Sequence, residues 1–382
     1  MKKPASVIHL LQDLVSICSV NPDGEPGVPR AQANEAQIAR YLSDYFSSIG
    51  LDTKLQTVYP NRPNVIGSTK SARGKLPRII LCPHIDTVSV GGMTISPFDP
   101  KIKAGKLYGR GSSDTKGPLA AMLWALTEIL KKNPAALKYE VVFAAVMGEE
   151  AGNDGIRHLM KSGIKADFAI AGEPTDMNPV YTHKGALWAK LTAKGKAVHS
   201  SQPHNGKNAI YELARAVTHF ETDLFPRLQK IKNRTLGAPT CSVGTITGGS
   251  KVNIVPDHAE AWVDFRLVPE QNARQLPAQI ARELKNKKID VRIDAPRLCA
   301  PLYTNPDNAH VQRLATVSRR IARRGKLVGA PWFCDAAICS EYGIPAVAWG
   351  PGSVNQAHTK DEFIEIKELE KGVEVFKSFL TE

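Results

Sequence analysis

The stretch VVFAAVMGEEAGNDG, residues 141–155, runs from a continuous apolar segment into two adjacent carboxylates, Glu149 and Glu150, and then into a glycine-broken turn. A short apolar run bounded by turn residues reads as a strand buried on both faces, the kind that builds parallel sheets. Two like charges at the mouth of such a strand repel each other, and a carboxylate beside a core loses hydration. The pair therefore calls for positive charge nearby.

The same pattern recurs on either side. PRIILCPHIDTV (77–88), DFAIAGEP (167–174) and PAVAWGPG (345–352) each contain a short buried strand that ends in polar residues. Between them lie helical segments. GPLAAMLWALTEILKK (117–132) places Leu119, Met122, Leu123, Leu126, Ile129 and Leu130 on one face, with Pro118 in its first turn. GIRHLMKSG (155–163) is a short helix, and QANEAQIARYLSDYFSSIG (32–50) is a helix closed by Gly50. Strands alternating with helices predict an α/β fold, with a mostly parallel sheet covered by helices on both faces.

From Lys184 the order changes to strand, helix, strand, strand, helix, strand, through GALWAKLTAKG, NAIYELARAVTHF, TCSVGTITGG, HAEAWVDFRLV, QLPAQIARELKN and IDVRID. That βαββαβ order is ferredoxin-like. The expected organisation is a first domain in two parts, 1–183 and 296–382, interrupted by an inserted ferredoxin-like domain over 184–295.

Composition narrows the function classes. The chain has 382 residues, 42% hydrophobic and 23% charged, enough for two cores. No apolar run is long enough to cross a bilayer. At the N-terminus, Val7, Leu10, Leu11, Leu14 and Val15 share a helical face that Gln12 and Asp13 interrupt, which predicts an amphipathic helix instead of a signal peptide. Six scattered cysteines without a CxxC pair fit a reducing cytoplasm. The net charge of +13 is dispersed, and no aromatic-plus-basic module accompanies it. It reads as a solvated surface, with neither nucleic acid nor membrane as partner.

The chemistry gathers at strand ends. His84 and Asp86 follow RIILC, Glu149 and Glu150 follow VVFAAV, Glu173 follows FAIAG, and His358 lies in the loop after AVAWG. Ligands of open α/β sheets bind at the carboxyl ends of the strands. Asp114, in GRGSSDTKGP, joins from a neighbouring loop. Each residue alone has an ordinary explanation: a loop histidine, a helix cap at Asp114, a turn acid at Glu173. Their shared location favours a metal site. Histidines and carboxylates without cysteine suit zinc, with cobalt or manganese as substitutes. Five donors exceed one tetrahedral site, so two ions sharing a carboxylate are expected. Adjacent residues of an extended segment point to opposite sides. One glutamate can then bind metal while its neighbour serves as general base.

At this point the chain resembles the di-zinc aminoacyl-amide hydrolases that include acetylornithine deacetylase, succinyl-diaminopimelate desuccinylase and related carboxypeptidases. The resemblance spans essentially the whole chain, through PHIDTV, KLYGRGSSDTKGPLAAM, MGEEAGNDG, AGEPTD, KAVHSSQPHNGKNAI, KVNIVPDHAEAWVDFRLVP and GPGSVNQAHTKDEF. It implies His84 and Glu173 on one zinc, Glu150 and His358 on the other, and Asp114 between them. Asp86 would accept from the second ring nitrogen of His84, and Glu149 would be the general base. A cis peptide would follow Asp114. His199 would reach a partner subunit's active site and stabilise the oxyanion, implying a homodimer through the inserted domain, which would also act as a lid. Arg266 and Asn253 would bind the substrate's carboxylate and polar groups, and the Gly352–Ser353 loop would offer an anion nest. Pro83 departs from the pattern, since relatives usually carry glycine before the histidine. The implied substrate is an N-acyl amino acid of the acetylornithine type. N-succinyl substrates, dipeptides and carboxypeptidase substrates are alternatives, and a non-catalytic metal-binding protein is a remote one.

Overall fold

The computed structural model describes residues 3–23, 34–69 and 76–382. The chain divides into two compact units. The first holds the described residues up to Tyr181, with Thr304–Val328 and Cys334–Glu382; the second holds Thr182–Tyr303 and Gly329–Phe333.

In the first unit, four adjacent strands run parallel in the spatial order Glu140–Ala145, Arg78–Pro83, Phe168–Gly172, Ala346–Trp349. Their interior residues are buried, as the apolar runs require. The margins are antiparallel. Asp52–Tyr59 and Arg62–Ser68 form a hairpin that pairs onto Glu140–Ala145, and Val180 pairs with Ala348. The hairpin is not legible as apolar runs, because Asp52–Tyr59 is an edge strand whose residues are exposed or half-buried. Its turn carries Asn61 at φ +60°, the left-handed conformation a tight reversal needs.

Helices cover this sheet. Val7–Ser16 buries Val7, Leu10, Leu11, Leu14 and Val15, the face its spacing predicts, and Ser6 caps it by accepting from the His9 N–H. Ala36–Ser48 buries Ile38, Ala39, Leu42, Tyr45 and Phe46, and Gly50 follows at φ +86°. Residues 32 and 33, where the sequence starts this helix, lie outside the described residues. Lys116–Lys132 is buried along most of its length, and it shares one core with Phe143, Ile170, Trp349 and Phe376.

The second unit, taken by itself, is a four-stranded antiparallel sheet in the order Thr240–Gly248, His258–Leu267, Gly185–Lys194, Val291–Cys299. The helices Ala209–His219 and Leu276–Asn286 lie in its core with Leu187, Leu191 and Phe265. Strand order and the βαββαβ sequence together make it ferredoxin-like. It extends past the expected limits of 184 and 295. Leu302–Tyr303 pairs with residues 182–183, and Ala330 accepts from the Lys184 N–H at 3.0 Å.

Close approach at Gly155 ties the helix Asp154–Lys161 to the end of the strand Glu140–Ala145. Asn64 accepts from the Met147 N–H at 3.0 Å and donates to the Gly155 carbonyl at 2.8 Å. A Cβ at Gly155 would lie 2.3 Å from the Met147 carbonyl oxygen and 2.5 Å from Asn64 Oδ1. Gly155→Ala is therefore expected to destabilise the protein by about 1–3 kcal/mol, the usual cost of forcing an atom into a packed site. A urea midpoint equal to that of the wild type would contradict this.

Candidate metal centre

Parallel strands end on the same side of a sheet, so the residues that follow them converge. Register completes the arrangement at two of these ends. His84 bridges to Val146, the Ile85 N–H donates to the Val146 carbonyl at 2.8 Å, and the Val146 N–H donates to the Pro83 carbonyl at 3.0 Å. The loops after the strands Arg78–Pro83 and Glu140–Ala145 are thereby held side by side.

Asp114 stands at the middle of the group. Its Oδ1 lies 3.1 Å from His84 Nε2, and its Oδ2 lies 3.3 Å from His358 Nε2. Glu150 Oε2 is also 3.3 Å from His358 Nε2. Donor atoms of His84, Asp114 and Glu150 all lie within 4.8 Å of one another. The peptide between Asp114 and Thr115 is cis, and Thr115 Oγ1 donates to the Gly172 carbonyl. His358 has φ +61° and a half-exposed side chain, so the group opens toward solvent on its side.

The electrostatics are those of an anion cluster. Burial pushes the Glu149 carboxyl well above the usual range; His84 opposes this, and Glu173, Asp335 and Glu150 add to it. Burial likewise raises Glu173, against the pull of His84 and with the push of Asp114. At Asp114 burial acts upward, but His358 and His84 outweigh it and hold the group low. At His84 burial acts against the imidazolium and is outweighed by Asp114 and Asp86. His358 is raised to about 10 by Asp114 and Glu150. The cluster thus attracts cations to its centre. Glu150 Oε1 is buried and has no hydrogen-bond partner. An orphaned carboxylate oxygen among imidazoles and carboxylates is the donor set a dication fits.

One expectation changes and another is extended. Glu149, Glu150 and Ala151 form a single 3₁₀ turn, not an extended segment, so the two side chains are separated by helical rotation instead of by a strand's pleat. Asp86 faces the second ring nitrogen of His84 and also has a further role. His84 Nδ1 lies 2.9 Å from the Asp86 main-chain oxygen and 3.5 Å from its carboxylate. The Asp86 carboxylate also accepts from the N–H groups of Glu149 at 3.1 Å and Glu150 at 3.0 Å, and from Asn21 Nδ2 at 2.8 Å. It pins the turn that presents both glutamates.

Asn21, Asn153 and Asp335 could not be read from the sequence. Asn153 Nδ2 reaches Glu149 Oε1 at 3.3 Å and Asp335 Oδ1 at 2.9 Å. Arg62, paired with the buried Glu35 at 2.7 Å, donates to Asn21 Oδ1 at 3.3 Å. Asn153 lies within MGEEAGNDG itself, but nothing in that stretch shows which side chains it meets, and Asn21 and Asp335 lie in none of the strand-end stretches.

In the loop before His358, Gly352 has φ +90° and Ser353 Oγ donates to Asp176 Oδ2 at 3.3 Å, so that hydroxyl is committed within the chain. The remaining expected residues belong to the second unit. The Ser200 N–H donates to the Asn253 carbonyl at 3.0 Å, bringing the loops of the exposed His199 and Asn253 together. His199 Nδ1 is 2.8 Å from Ser201 Oγ. Arg266 donates to Asp264 at 2.9 Å, and its guanidinium lies 5.8 Å from the centroid of the Phe333 ring.

A family model described as Peptidase family M20/M25/M40 matches residues 80–382. The chain belongs to this family. As a member of it, the protein is an enzyme that acts on amide bonds. A probable succinyl-diaminopimelate desuccinylase of Staphylococcus epidermidis is 29% identical over 410 residues, covering 98% of this chain and 97% of that protein. The acetylornithine deacetylase of Proteus mirabilis is 31% identical over 380 residues, covering 96% of this chain and 94% of that one. A metallo-carboxypeptidase from Sulfolobus solfataricus shares the fold at a TM-score of 0.79 and 21% identity, over 98% of each chain. Among the described residues, no helix of this family member is long and apolar enough to cross a membrane.

Proposed function

We propose that this protein hydrolyses N-acyl amino acids of the acetylornithine type in the cytoplasm, with two divalent cations, zinc before cobalt or manganese. The observation that carries the reading is the division of the Asp114 carboxylate, one oxygen toward His84 and the other toward His358. A carboxylate placed between two imidazoles in this way suits two ions about 3.5–4 Å apart. His84 and Glu173 would hold one ion and Glu150 and His358 the other, with Asp114 shared between the two sites.

When bound, the ions polarise the scissile carbonyl and activate water near neutral pH. Glu149 accepts the proton of the attacking water on its carboxylate and delivers it to the departing nitrogen. Water adds to the carbonyl carbon, the C–N bond breaks, and a carboxylate and a free amine leave. Asp86 keeps Glu149 and Glu150 in their turn, and Asn153 steadies the Glu149 carboxylate. Arg266 and Asn253 bind the substrate's carboxylate and polar groups, and main-chain N–H groups at Gly352 and Ser353 offer an anion nest. In a homodimer formed through the inserted unit, His199 of the partner subunit stabilises the oxyanion.

An N-succinyl substrate is the second reading, favoured by one observation in the second unit. The Arg297 guanidinium lies 4.6 Å from the Trp188 ring centroid and 5.3 Å from that of Phe333, and its buried Nε has no hydrogen-bond partner. With Arg266 it supplies cationic charge that suits an anionic acyl group. The test is release of primary amine by the zinc-loaded protein from N-acetylornithine, N-succinyl-diaminopimelate, dipeptides and carboxypeptidase substrates. The expected result is fastest release from the N-acetyl substrate. Faster release from the succinyl compound moves the assignment to the second reading, and release from none overturns both.

A further inference from the structure

Beyond the residues that face the proposed ions, one buried carboxylate serves the same group from behind. Glu362 is fully buried, four positions past His358. Its Oε2 accepts from Arg110 Nη1 at 2.8 Å and the Gly111 N–H at 2.9 Å. Its Oε1 accepts from the N–H groups of Ser113 and Asp114, both at 2.9 Å. An ionised carboxylate offers about four lone-pair sites, and all four are used. The main chain adds a fifth tie, from the Gly109 N–H to the Glu362 carbonyl at 3.0 Å. The strand Phe363–Glu365 pairs antiparallel with Lys106–Tyr108, Phe363 opposite Tyr108, and this register carries Glu362 under the loop 110–114.

We propose that Glu362 is a positioning residue for Asp114. Its carboxylate fixes the main chain from Arg110 to Asp114, so that the two Asp114 oxygens stay divided between His84 and His358. It also ties the loop that supplies Asp114 to the loop that supplies His358, so the two donors move as one body. A glutamine cannot replace it, because one of its two terminal atoms is a donor and would face N–H groups that are donors themselves. This inference rests on the two-ion reading above.

The test is titration of Co(II) into the metal-free wild type, Glu362→Gln and Glu362→Asp. Affinities are read by chelator competition, the ligand field from the visible absorption spectrum, and thermal unfolding in parallel. Glu362→Gln is expected to fold and to bind the ions about 10–100-fold more weakly, the usual effect of losing a group that orients a ligand. Its spectrum should also shift. Glu362→Asp keeps the charge and should recover part of both. A role confined to stability would lower the melting temperature while leaving affinity and spectrum at wild-type values, and that result overturns the proposal. If Glu362→Gln does not fold, the aspartate variant decides alone: weaker binding with a shifted spectrum supports the role, and wild-type binding overturns it. A wild type that fails to bind two ions overturns the two-ion reading itself, and this inference with it.

Discussion

Glu149→Ala is expected to lower kcat by about 10²–10⁴-fold, the range over which a positioned general base contributes. Metal content should stay at the wild-type level. The argument lies in the turn Glu149–Ala151. Its two carboxylates leave the chain in different directions, and Glu150 is the one beside His358 and Asp114. Glu149 is instead addressed by the Asn153 side chain, an amide that orients a carboxylate without supplying charge. Removing Glu149 also takes one of several mutually repelling anions out of the group, so the remaining donors lose nothing they need for cations. Metal analysis and single-turnover kinetics on the same preparation check both halves. Wild-type turnover would remove Glu149 from the mechanism, and loss of metal together with activity would make it a ligand.

Asp114→Ala is expected to act differently. It removes the group that lies between the two histidines, so bound metal should fall to at most one ion per chain. If the shared carboxylate secures about 4 kcal/mol of transition-state stabilisation through the paired ions, kcat/KM should fall about 10³-fold. The histidines should also respond, because Asp114 heads the contacts that raise His358 to about 10. In the metal-free variant the His358 imidazole should titrate at lower pH than in the metal-free wild type, which NMR of its ring protons would show. Two ions bound at wild-type affinity would contradict the bridging role.

Much of this molecule follows from local pattern. The buried strands, the helix faces of Val7–Ser16 and Lys116–Lys132 and the ferredoxin-like order all come from apolar periodicity, which a single segment carries within itself. Placing His84, Asp86, Glu149, Glu150, Glu173 and His358 after strands needed only those strands and the rule that parallel strands share an end. The turn at Glu149 is not legible in the sequence, because a two-residue stretch does not reveal whether the strand continues. The strand ends at Ala145, and Gly148 at φ +77° turns the chain so that the 3₁₀ turn can start.

What the sequence by itself determined is the class of fold and the chemical types gathered at one edge of its sheet, because hydrophobic spacing and residue type are properties of short segments. What only the tertiary structure decided is who faces whom. The Asp86 carboxylate meets Asn21 across 65 positions, Asn153 meets Asp335 across 182, and the Asp114 N–H meets Glu362 across 248. Such contacts depend on strand register and on loops closing over one another, and a buried polar group takes whichever partner that closure brings within hydrogen-bond reach.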